Sequence, residues 1–558
     1  MRGTIENIVL NAVQAAVDKG ELALSGMPDA AVERPRDPAH GDWATTIALR
    51  LAGEVKRSPR EIAQVIAAHI EESEAISAVE VAGPGFINLR LSNSALQQVI
   101  RDARTLGKGF APVDVGKGRT LNIEFISANP TGPMHVGHGR WAALGNALSN
   151  VCEYAGWQVT REFYINDAGH QMEVFGMSLA LRYLELLGAR ITVPEEFYGG
   201  AYVIELAQRI LDEEGSVWLE ADEQARNEHF LERGYSLMLA HMQSLCERIG
   251  VPFHVWFSER TLYEKNPQTG LSPVEATLEV LDSKGYLYEK DGATWFRTTD
   301  FSDDKDRVLI KADDTYTYFA PDIAYHLSKF VRGSEYLINI WGADHHGYIP
   351  RMKSACEALG HAGKLDIVLG QLVNLYRDGE AVRMSKRTGE MITFEELVDE
   401  VGADATKYLM LSRSTDQAID FDIEVAKKQD TSNPVYYVQY AHARICSLFK
   451  KAGEAGVAVQ NLEDADLNLL VDASELELAR VFSRLSEVIE AAARDLAPFK
   501  LTRYAEEVAT ALHSFYTRCL IIGDDKELTR ARLYLSDATR CVLTLVLSLL
   551  GVSAPERM

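Results

Sequence analysis

The segment from Leu121 to Tyr154 constrains the fold of this chain more than any other part of its sequence. A strand-like apolar run at 121–126 enters a loop that contains Pro130 and Pro133, and residues with helical character follow from Gly139. A strand that passes through such a loop into a helix is typical of nucleotide-binding α/β domains. We therefore expect a Rossmann-like parallel sheet, completed by strand-like runs at 336–341 and 367–372.

Length and composition limit the class of protein. The 558 residues suggest several domains, and a hydrophobic fraction of 47% excludes a disordered chain. The net charge of −24 argues against a DNA-binding protein. No apolar run reaches the about 20 residues that a membrane span requires. The start of the chain, with Glu6 and Asp18, indicates an amphipathic helix and not a signal peptide. We expect a cytoplasmic protein that binds no membrane.

Four regions follow from composition and periodicity. Residues 1–112 combine helical patterns with two strands around a Gly-Pro-Gly turn, which predicts a small α+β domain. Residues 113–375 should form the Rossmann-like domain, with an acidic, largely helical insertion at about 171–300. A connecting region is expected at 376–430. Residues 431–558 show 3.6-residue periodicity, which predicts an all-α domain.

The loop after the first strand of the expected sheet carries two histidines. Within Asn129 to Gly139, His135 and His138 lie three positions apart, so both would face the same side of the helix start. Such a helix start offers unpaired N–H groups to an anion, and Gly137 leaves room for a flat base against the backbone. The motif predicts a nucleotide phosphate site. The alternative is a pair of histidines that only caps the helix.

A second candidate phosphate site lies between Val382 and Gly389. It contains three cations, Arg383, Lys386 and Arg387, in a loop that ends at a glycine. Such a loop suits polyphosphate, and lysine is a compact charge that can follow a phosphoryl group through a displacement. A charged surface loop explains this segment better when it is taken alone, so the hypothesis depends on the histidine motif, which reverses that order.

Together the two motifs resemble the HIGH and KMSKS signatures of class I aminoacyl-tRNA synthetases. Longer segments are similar to bacterial arginyl-tRNA synthetases, namely 40–44, 161–169, 322–326, 341–347, 433–444 and 550–558. Lys386 matches the second lysine of KMSKS, whereas Arg383 and Arg387 depart from the strict signature at its first and last positions. The resemblance extends over essentially the whole chain.

The resemblance implies ATP-dependent ligation of L-arginine to tRNA(Arg) through an arginyl-adenylate. It implies catalytic roles for His135, His138 and Lys386. The ATP-binding residues that it implies are Pro130, Gly132, His135, Gly137, His138, Asp344, Met384, Ser385 and Lys386. Glu124 and Asn129 are expected to hold the amino-acid end of arginine. Tyr318 and Asp322 are expected to bind its guanidinium, which needs a carboxylate opposite its planar donors.

Partners and cofactors also follow from the resemblance. The all-α domain would bind the anticodon region of tRNA, where aromatic side chains stack on unpaired bases. The residues expected there are Tyr436, Gln439, Tyr440 and Arg444. The N-terminal domain would contact the outer corner of tRNA at its D-loop. Mg²⁺ would bind through the ATP phosphates, no structural zinc is expected, and the family tendency is a monomer.

Several alternatives stay open from the sequence. The chain could be another ATP-using enzyme, either a different class I synthetase or a small nucleotidyltransferase. It could also be a non-catalytic RNA-binding protein descended from a synthetase. At the level of residues, Glu124 could be a polar group at a strand edge, and Asp322 could be a helix N-cap. The tyrosines from 436 onward could form a core face of one helix.

Overall fold

The structure, a computed structural model, describes residues 1–71, 73–382, 392–457 and 461–558. The N-terminal elements are α1 (Arg2–Asp18), β1 (Val32–Glu33), β2 (Trp43–Thr45), α2 (Ile47–Val55), α3 (Pro59–Ala68), β3 (Ile76–Ala82), β4 (Phe86–Leu91) and α4 (Asn93–Leu106). The strands form an antiparallel sheet in the order β1-β2-β4-β3. Reciprocal hydrogen bonds between Ser58 and Glu61 start α3, as a capping box does. The predicted α+β organisation is confirmed.

A parallel sheet occupies the middle of the chain. Its first elements are β5 (Thr120–Glu124), α5 (Val136–Tyr154), β6 (Gln158–Ile165), α6 (His170–Leu186), α7 (Ala201–Glu214), α8 (Glu223–Arg248) and β7 (Val255–Ser258). They are followed by α9 (Pro273–Ser283), β8 (Leu287–Lys290), β9 (Ala293–Phe296), β10 (Arg307–Ile310), α10 (Phe319–Val331), β11 (Tyr336–Gly342), α11 (Ile349–Ala358) and β12 (Leu365–Gly370). Five strands pair in parallel in the order β12-β11-β5-β6-β7. The expected Rossmann-like sheet is confirmed.

The expected single insertion at about 171–300 needs correction, because β7 belongs to the central sheet. Phe163 of β6 lies opposite Trp256 of β7 in parallel register. The region is therefore divided into the helices α6 to α8 on one side of β7 and a separate antiparallel sheet, β10-β9-β8, on the other. The sequence did not predict this strand because four residues are too few to show a strand periodicity.

The chain continues with β13 (Val373–Arg377), β14 (Glu380–Ala381), α12 (Phe394–Val401), α13 (Ala403–Met410), β15 (Ile419–Asp422) and α14 (Ile423–Lys427). β13 pairs in parallel with β15 and antiparallel with β14. The helices α15 (Pro434–Glu454), α16 (Ala473–Phe482), α17 (Leu485–Arg494), α18 (Phe499–Arg518) and α19 (Lys526–Leu549) complete the fold. The predicted all-α region is confirmed. Within the described ranges, no helix combines the length and the apolar character needed to cross a membrane.

One continuous apolar core joins the three regions. Its buried residues extend from Ile5 in α1 through Ile123 in β5 to Val552 after α19. Polar contacts add to this packing: Arg104 of α4 donates to Asp537 of α19 at 2.9 Å, and Arg480 of α16 donates to Asp42 at 3.1 Å. The N-terminal region is thus joined directly to the C-terminal helices.

Candidate active site

The two histidines lie at the junction of β5 and α5, as the sequence predicts. His135 is the N-cap of α5, its backbone N–H donates to Nδ1 of His138 at 3.1 Å, and the His138 N–H donates to the His135 carbonyl at 2.9 Å. Their rings stack with centroids 3.7 Å apart. The two histidines therefore do cap α5, as the alternative interpretation of the motif states. Because Nδ1 of His138 accepts a hydrogen bond, its neutral ring carries the proton on Nε2.

A cavity of about 330 Å³ opens at the carboxyl ends of β5 and β11. It is the position where open parallel sheets bind ligands. Both histidines line it together with Glu124, Asp322 and Asp344. The rest of its wall includes Ser127, Trp141, Tyr164, Tyr325, His326, Trp341, Gly342, His345 and Tyr348. Residues that the sequence assigns to two different substrates, the nucleotide and the amino acid, thus line one cavity.

The end of β5 is sharply bent where it enters this cavity. The strand was expected to reach Ile126, but it ends at Glu124, because Ile126 and Ser127 have φ angles of 71° and 48°. Left-handed backbone at non-glycine residues stores strain and is concentrated at functional sites. The bend brings Ser127 Oγ within 2.9 Å of Glu124 Oε1, to which it donates a hydrogen bond.

Trp141 forms a wall of the cavity that sequence analysis missed. Its indole lies beside three glycines: an added Cβ would approach the ring to 2.5 Å at Gly370, 3.4 Å at Gly342 and 3.9 Å at Gly137. The ring also meets those of His135 and His138 edge to face, with centroids 6.1 and 5.4 Å apart. The contacts with glycines on two other strands became visible only when the sheet was assembled.

Glu124 is held by a buried network. Its Oε2 accepts a hydrogen bond from Nζ of Lys329 at 2.6 Å, and the same Nζ donates to Oδ1 of Asn339 at 3.1 Å. Asn339 in turn lies 2.7 Å from Nε2 of His326. Burial lowers the pKa of His326 to about 3, so this imidazole is neutral. Glu124 is therefore a fixed acceptor and more than a polar group at a strand edge.

Asp322 lies inside α10 and is not its N-cap, because the helix begins at Phe319. The hydroxyl of Tyr348 donates to Oδ2 of Asp322 at 2.5 Å. Burial raises the pKa of Asp322 to about 7, the Tyr348 hydrogen bond opposes this rise, and the nearby carboxylates of Glu259 and Glu124 add to it. A cationic ligand would relieve this concentration of carboxylates.

The other two residues assigned to arginine border a second cavity. Its volume is about 930 Å³, and Asn129 and Tyr318 line it together with Glu259. Tyr318 is 89% exposed. Glu259 is buried, and burial raises its pKa. Sequence analysis missed Glu259, although it directly follows β7 at the same sheet edge as Glu124. The four predicted arginine residues therefore divide between two cavities, which adjoin, because Pro321 lines the larger one and the next residue, Asp322, lines the smaller.

The second signature motif falls mostly outside the described residues, which resume at 392. Met384, Ser385 and Lys386 are therefore not placed. The structure does place the residues from 392 to 457. The N–H of Phe394 donates to the Met134 carbonyl at 2.8 Å, and Thr393 forms a β-bridge with His135. The chain shortly after the second motif thus contacts the histidine motif directly.

Family models match the chain from end to end. One described as the arginyl tRNA synthetase N terminal domain matches residues 4–91, and one described as the catalytic domain of class I (R) tRNA synthetases matches residues 104–445. The chain belongs to the arginyl-tRNA synthetase family. A third model, described as the DALR anticodon binding domain, matches residues 438–558.

Relatives and solved structures agree with this assignment to the arginyl-tRNA synthetases. An arginine–tRNA ligase of Moorella thermoacetica is 44% identical over 98% of this chain and 97% of its own length. That of Syntrophotalea carbinolica is 45% identical, with all of both chains covered. A solved Campylobacter jejuni structure is 35% identical, with a TM-score of 0.76 over 84% of this chain and 100% of its own. The arginyl-tRNA synthetase of Thermus thermophilus, 21% identical, shares the fold at a TM-score of 0.76 over the full length of both chains. Full coverage leaves no room for the small nucleotidyltransferase considered above.

In this arginyl-tRNA synthetase family member, the helix α15 carries the residues expected to contact tRNA. Tyr436 and Tyr440 stack with ring centroids 5.9 Å apart, and Tyr440 is 39% exposed. Gln439 is buried and donates to Asp404 and to the Ser553 carbonyl, both at 2.9 Å. Its position therefore corrects the expectation of a tRNA contact, because burial commits the side chain to internal packing.

Arg444 on the same helix already contacts two side chains of α18. Its guanidinium packs over the ring of Tyr516, 4.2 Å from the centroid, and Nη1 lies 3.2 Å from Nδ1 of His513.

Asp344, expected to bind the adenosine, is largely exposed, with 82% of its side chain accessible. In the described part of the chain, no cluster of three His, Cys, Asp or Glu side chains has a metal-binding arrangement.

Proposed function

We propose that this chain ligates L-arginine to tRNA(Arg), with ATP as the energy source and arginyl-adenylate as the intermediate. One observation carries the proposal: a single cavity joins the histidine-bearing helix start to the buried carboxylates of Glu124 and Asp322. A helix N-terminus suits phosphate, and paired carboxylates suit a guanidinium and an ammonium group. The two substrates of adenylate formation would therefore meet there.

The first step is a displacement at phosphorus. A carboxylate oxygen of arginine attacks the α-phosphorus of ATP, the bond to the β-phosphate oxygen breaks, and pyrophosphate leaves. Nε2–H of His138 would donate to a phosphate oxygen as negative charge develops, with His135 beside it, and Lys386 would bind the departing pyrophosphate. Mg²⁺ would bind to the ATP phosphates and stabilise their charge. The carboxylate of Asp344 borders the part of the cavity that we assign to the nucleotide.

The second step transfers arginine to tRNA. The 2′-hydroxyl of the terminal adenosine attacks the acyl carbon, and AMP leaves with the electron pair of the mixed anhydride bond. We propose that 1–112 contacts the outer corner of tRNA and that 431–558 binds the anticodon region through Tyr436, Tyr440 and Arg444. The region 113–375 carries the chemistry, and 376–430 links it to the helical domain. The enzyme would act as a monomer in the cytoplasm.

Pyrophosphate exchange into ATP tests the proposal, run with each of the twenty amino acids, with and without tRNA. We expect exchange with arginine, and only when tRNA is present, because tRNA docking would complete the site. Exchange with another amino acid would discard the arginine assignment but keep the class I chemistry. The absence of exchange from folded protein in every arm would favour a non-catalytic RNA-binding protein.

Variants of the proposed arginine contacts sharpen the test. Asp322→Ala should raise the KM for arginine steeply, because the guanidinium loses its buried carboxylate. Lys311→Ala serves as the control, because Lys311 precedes α10 and lines neither cavity. An unchanged KM for arginine in Asp322→Ala would remove that residue from the site.

A further inference from the structure

Arg140 lies two residues after His138 on α5 and is almost completely buried, at 2% exposure. Its Nη1 donates to the Gln371 carbonyl at 2.7 Å, and Nη2 donates to the carbonyls of Ser414 and Gln417 at 3.0 and 2.8 Å. All three acceptors are neutral backbone groups. Removing a cation from water is costly, and burial lowers the pKa of Arg140 to about 10 although the nearby carboxylate of Asp416 opposes this. Tight packing alone would therefore not require arginine at this position.

The three acceptors come together at one place, which we call the β13–β15 junction: residues 371–373 and 414–419. There the N–H of Gln371 donates to the Thr415 carbonyl at 3.1 Å, and the N–H of Ile419 donates to the Leu372 carbonyl at 3.1 Å. The parallel pairing of β13 with β15 begins at Val373 and Ile419. Arg140 thus binds the point at which these two strands start.

This junction leads into the second signature motif. β13 continues through β14 to Val382, next to the segment that contains Lys386. After that segment, Phe394 bonds to Met134, and an added Cβ at Gly139 would come within 2.6 Å of the Phe394 ring. The histidine-bearing helix α5 therefore contacts the chain on both sides of the second motif. Arg140 donates to Gln371 before it and to Ser414 and Gln417 after it, and Gly139 meets Phe394 after it.

We propose that Arg140 is a positioning residue for adenylate formation, which sets the placement of the β13–β15 junction relative to the helix start that carries His135 and His138. The planar guanidinium suits this role, because its donors reach three carbonyls in fixed directions, whereas lysine would offer a single movable charge. The inference rests on the proposed function, in which Lys386 and the histidines act on opposite ends of the same phosphates.

The test compares Arg140→Met, Arg140→Lys and Arg161→Met in the full-length enzyme. Arg161 is a matched control, because it is also buried but donates to Asn150 and Glu153, away from the junction. In Arg140→Met, the kcat for tRNA-dependent pyrophosphate exchange should fall by about ten- to a hundredfold, as expected for misplaced catalytic groups. The KM for arginine should stay unchanged, since Glu124 and Asp322 are untouched. Arg140→Lys should show a smaller loss.

A second readout separates positioning from general damage. Transfer of arginine from supplied arginyl-adenylate to tRNA should keep its wild-type rate in Arg140→Met, because pyrophosphate has already left. Equal losses in exchange and transfer, or the same split in Arg161→Met, would overturn the inference, as would unchanged exchange in Arg140→Met. If Arg140→Met does not fold, Arg140→Lys decides by the same two rates. Absence of arginine-dependent exchange in the wild type would instead overturn the proposed function.

Discussion

The ammonium nitrogen of Lys329 lies 2.6 Å from Oε2 of Glu124, and both side chains are buried beside the candidate arginine site. Glu124 stands at the end of β5, where the strand meets the cavity, and Lys329 reaches it from the last turn of α10. The pair therefore joins the central strand of the sheet to the helix that carries Asp322. It determines the direction in which Glu124 presents its oxygens.

Lys329→Met should lower the free energy of unfolding by about 3–5 kcal/mol, because it leaves a buried carboxylate without its cation. The KM for arginine should rise as well, since Glu124 loses its fixed orientation. Chemical denaturation and arginine-dependent exchange measure the two effects. Adding Glu124→Gln to Lys329→Met should restore part of the stability but not the KM. A double variant as unstable as the single one would contradict this explanation.

Arginine affinity should depend on pH through Asp322. Its pKa is raised to about 7, so at pH 6 the free enzyme holds a proton there, and arginine must displace it. The dissociation constant for arginine should therefore fall as the pH rises from 6 to 8, by up to about tenfold per unit below the pKa. Calorimetry in buffers of different ionisation enthalpy should detect proton release at pH 6. The Asp322→Asn variant should bind arginine more weakly and without proton release. If its arginine affinity kept the same pH dependence, that dependence would belong to another group.

Gly145→Ala should destabilise the central domain. A Cβ at this position in α5 would lie 2.1 Å from Cγ of Phe125, which is fully buried at the end of β5. Overpacking of this kind lowers the free energy of unfolding by about 1–3 kcal/mol. Gly53→Ala is the control, because Gly53 lies in α2 with no atom within 4 Å of an added Cβ. That substitution should raise stability slightly through better helix propensity.

Substitutions at Tyr440 and Gln439 should have different effects, the first on tRNA affinity and the second on thermal stability. Tyr440→Ala removes an exposed ring and should weaken tRNA binding by about 1–3 kcal/mol if the ring stacks on one base. Gln439→Ala should lower the melting temperature instead, because the side chain bridges Asp404 and Ser553. Titration of tRNA and thermal unfolding of both variants check this contrast. Equal tRNA affinity in Tyr440→Ala and the wild type would place the anticodon elsewhere.

The local sequence was informative wherever a pattern has a strong periodicity or special backbone residues. The turn at 83–85, the helix that begins at Pro434 and the strand that begins near Leu121 are where the sequence predicts them. The prediction failed at β7, because its four residues are too few to show the alternation that identifies a strand. Glu259 was missed for the same reason, since its role follows from the strand before it.

The sequence by itself determined the fold class, the order of the regions and the chemistry of the histidine motif, because these depend on residue types at short spacing. Only the tertiary structure decided which distant groups act together. Lys329 supplies the counter-charge of Glu124, Trp141 fills the space left by glycines on other strands, and Arg140 binds the β13–β15 junction. Gln439, which looks accessible in the sequence, is turned inward. Such pairings arise when strands and helices far apart in the chain pack side by side, and one sequence carries no local trace of them.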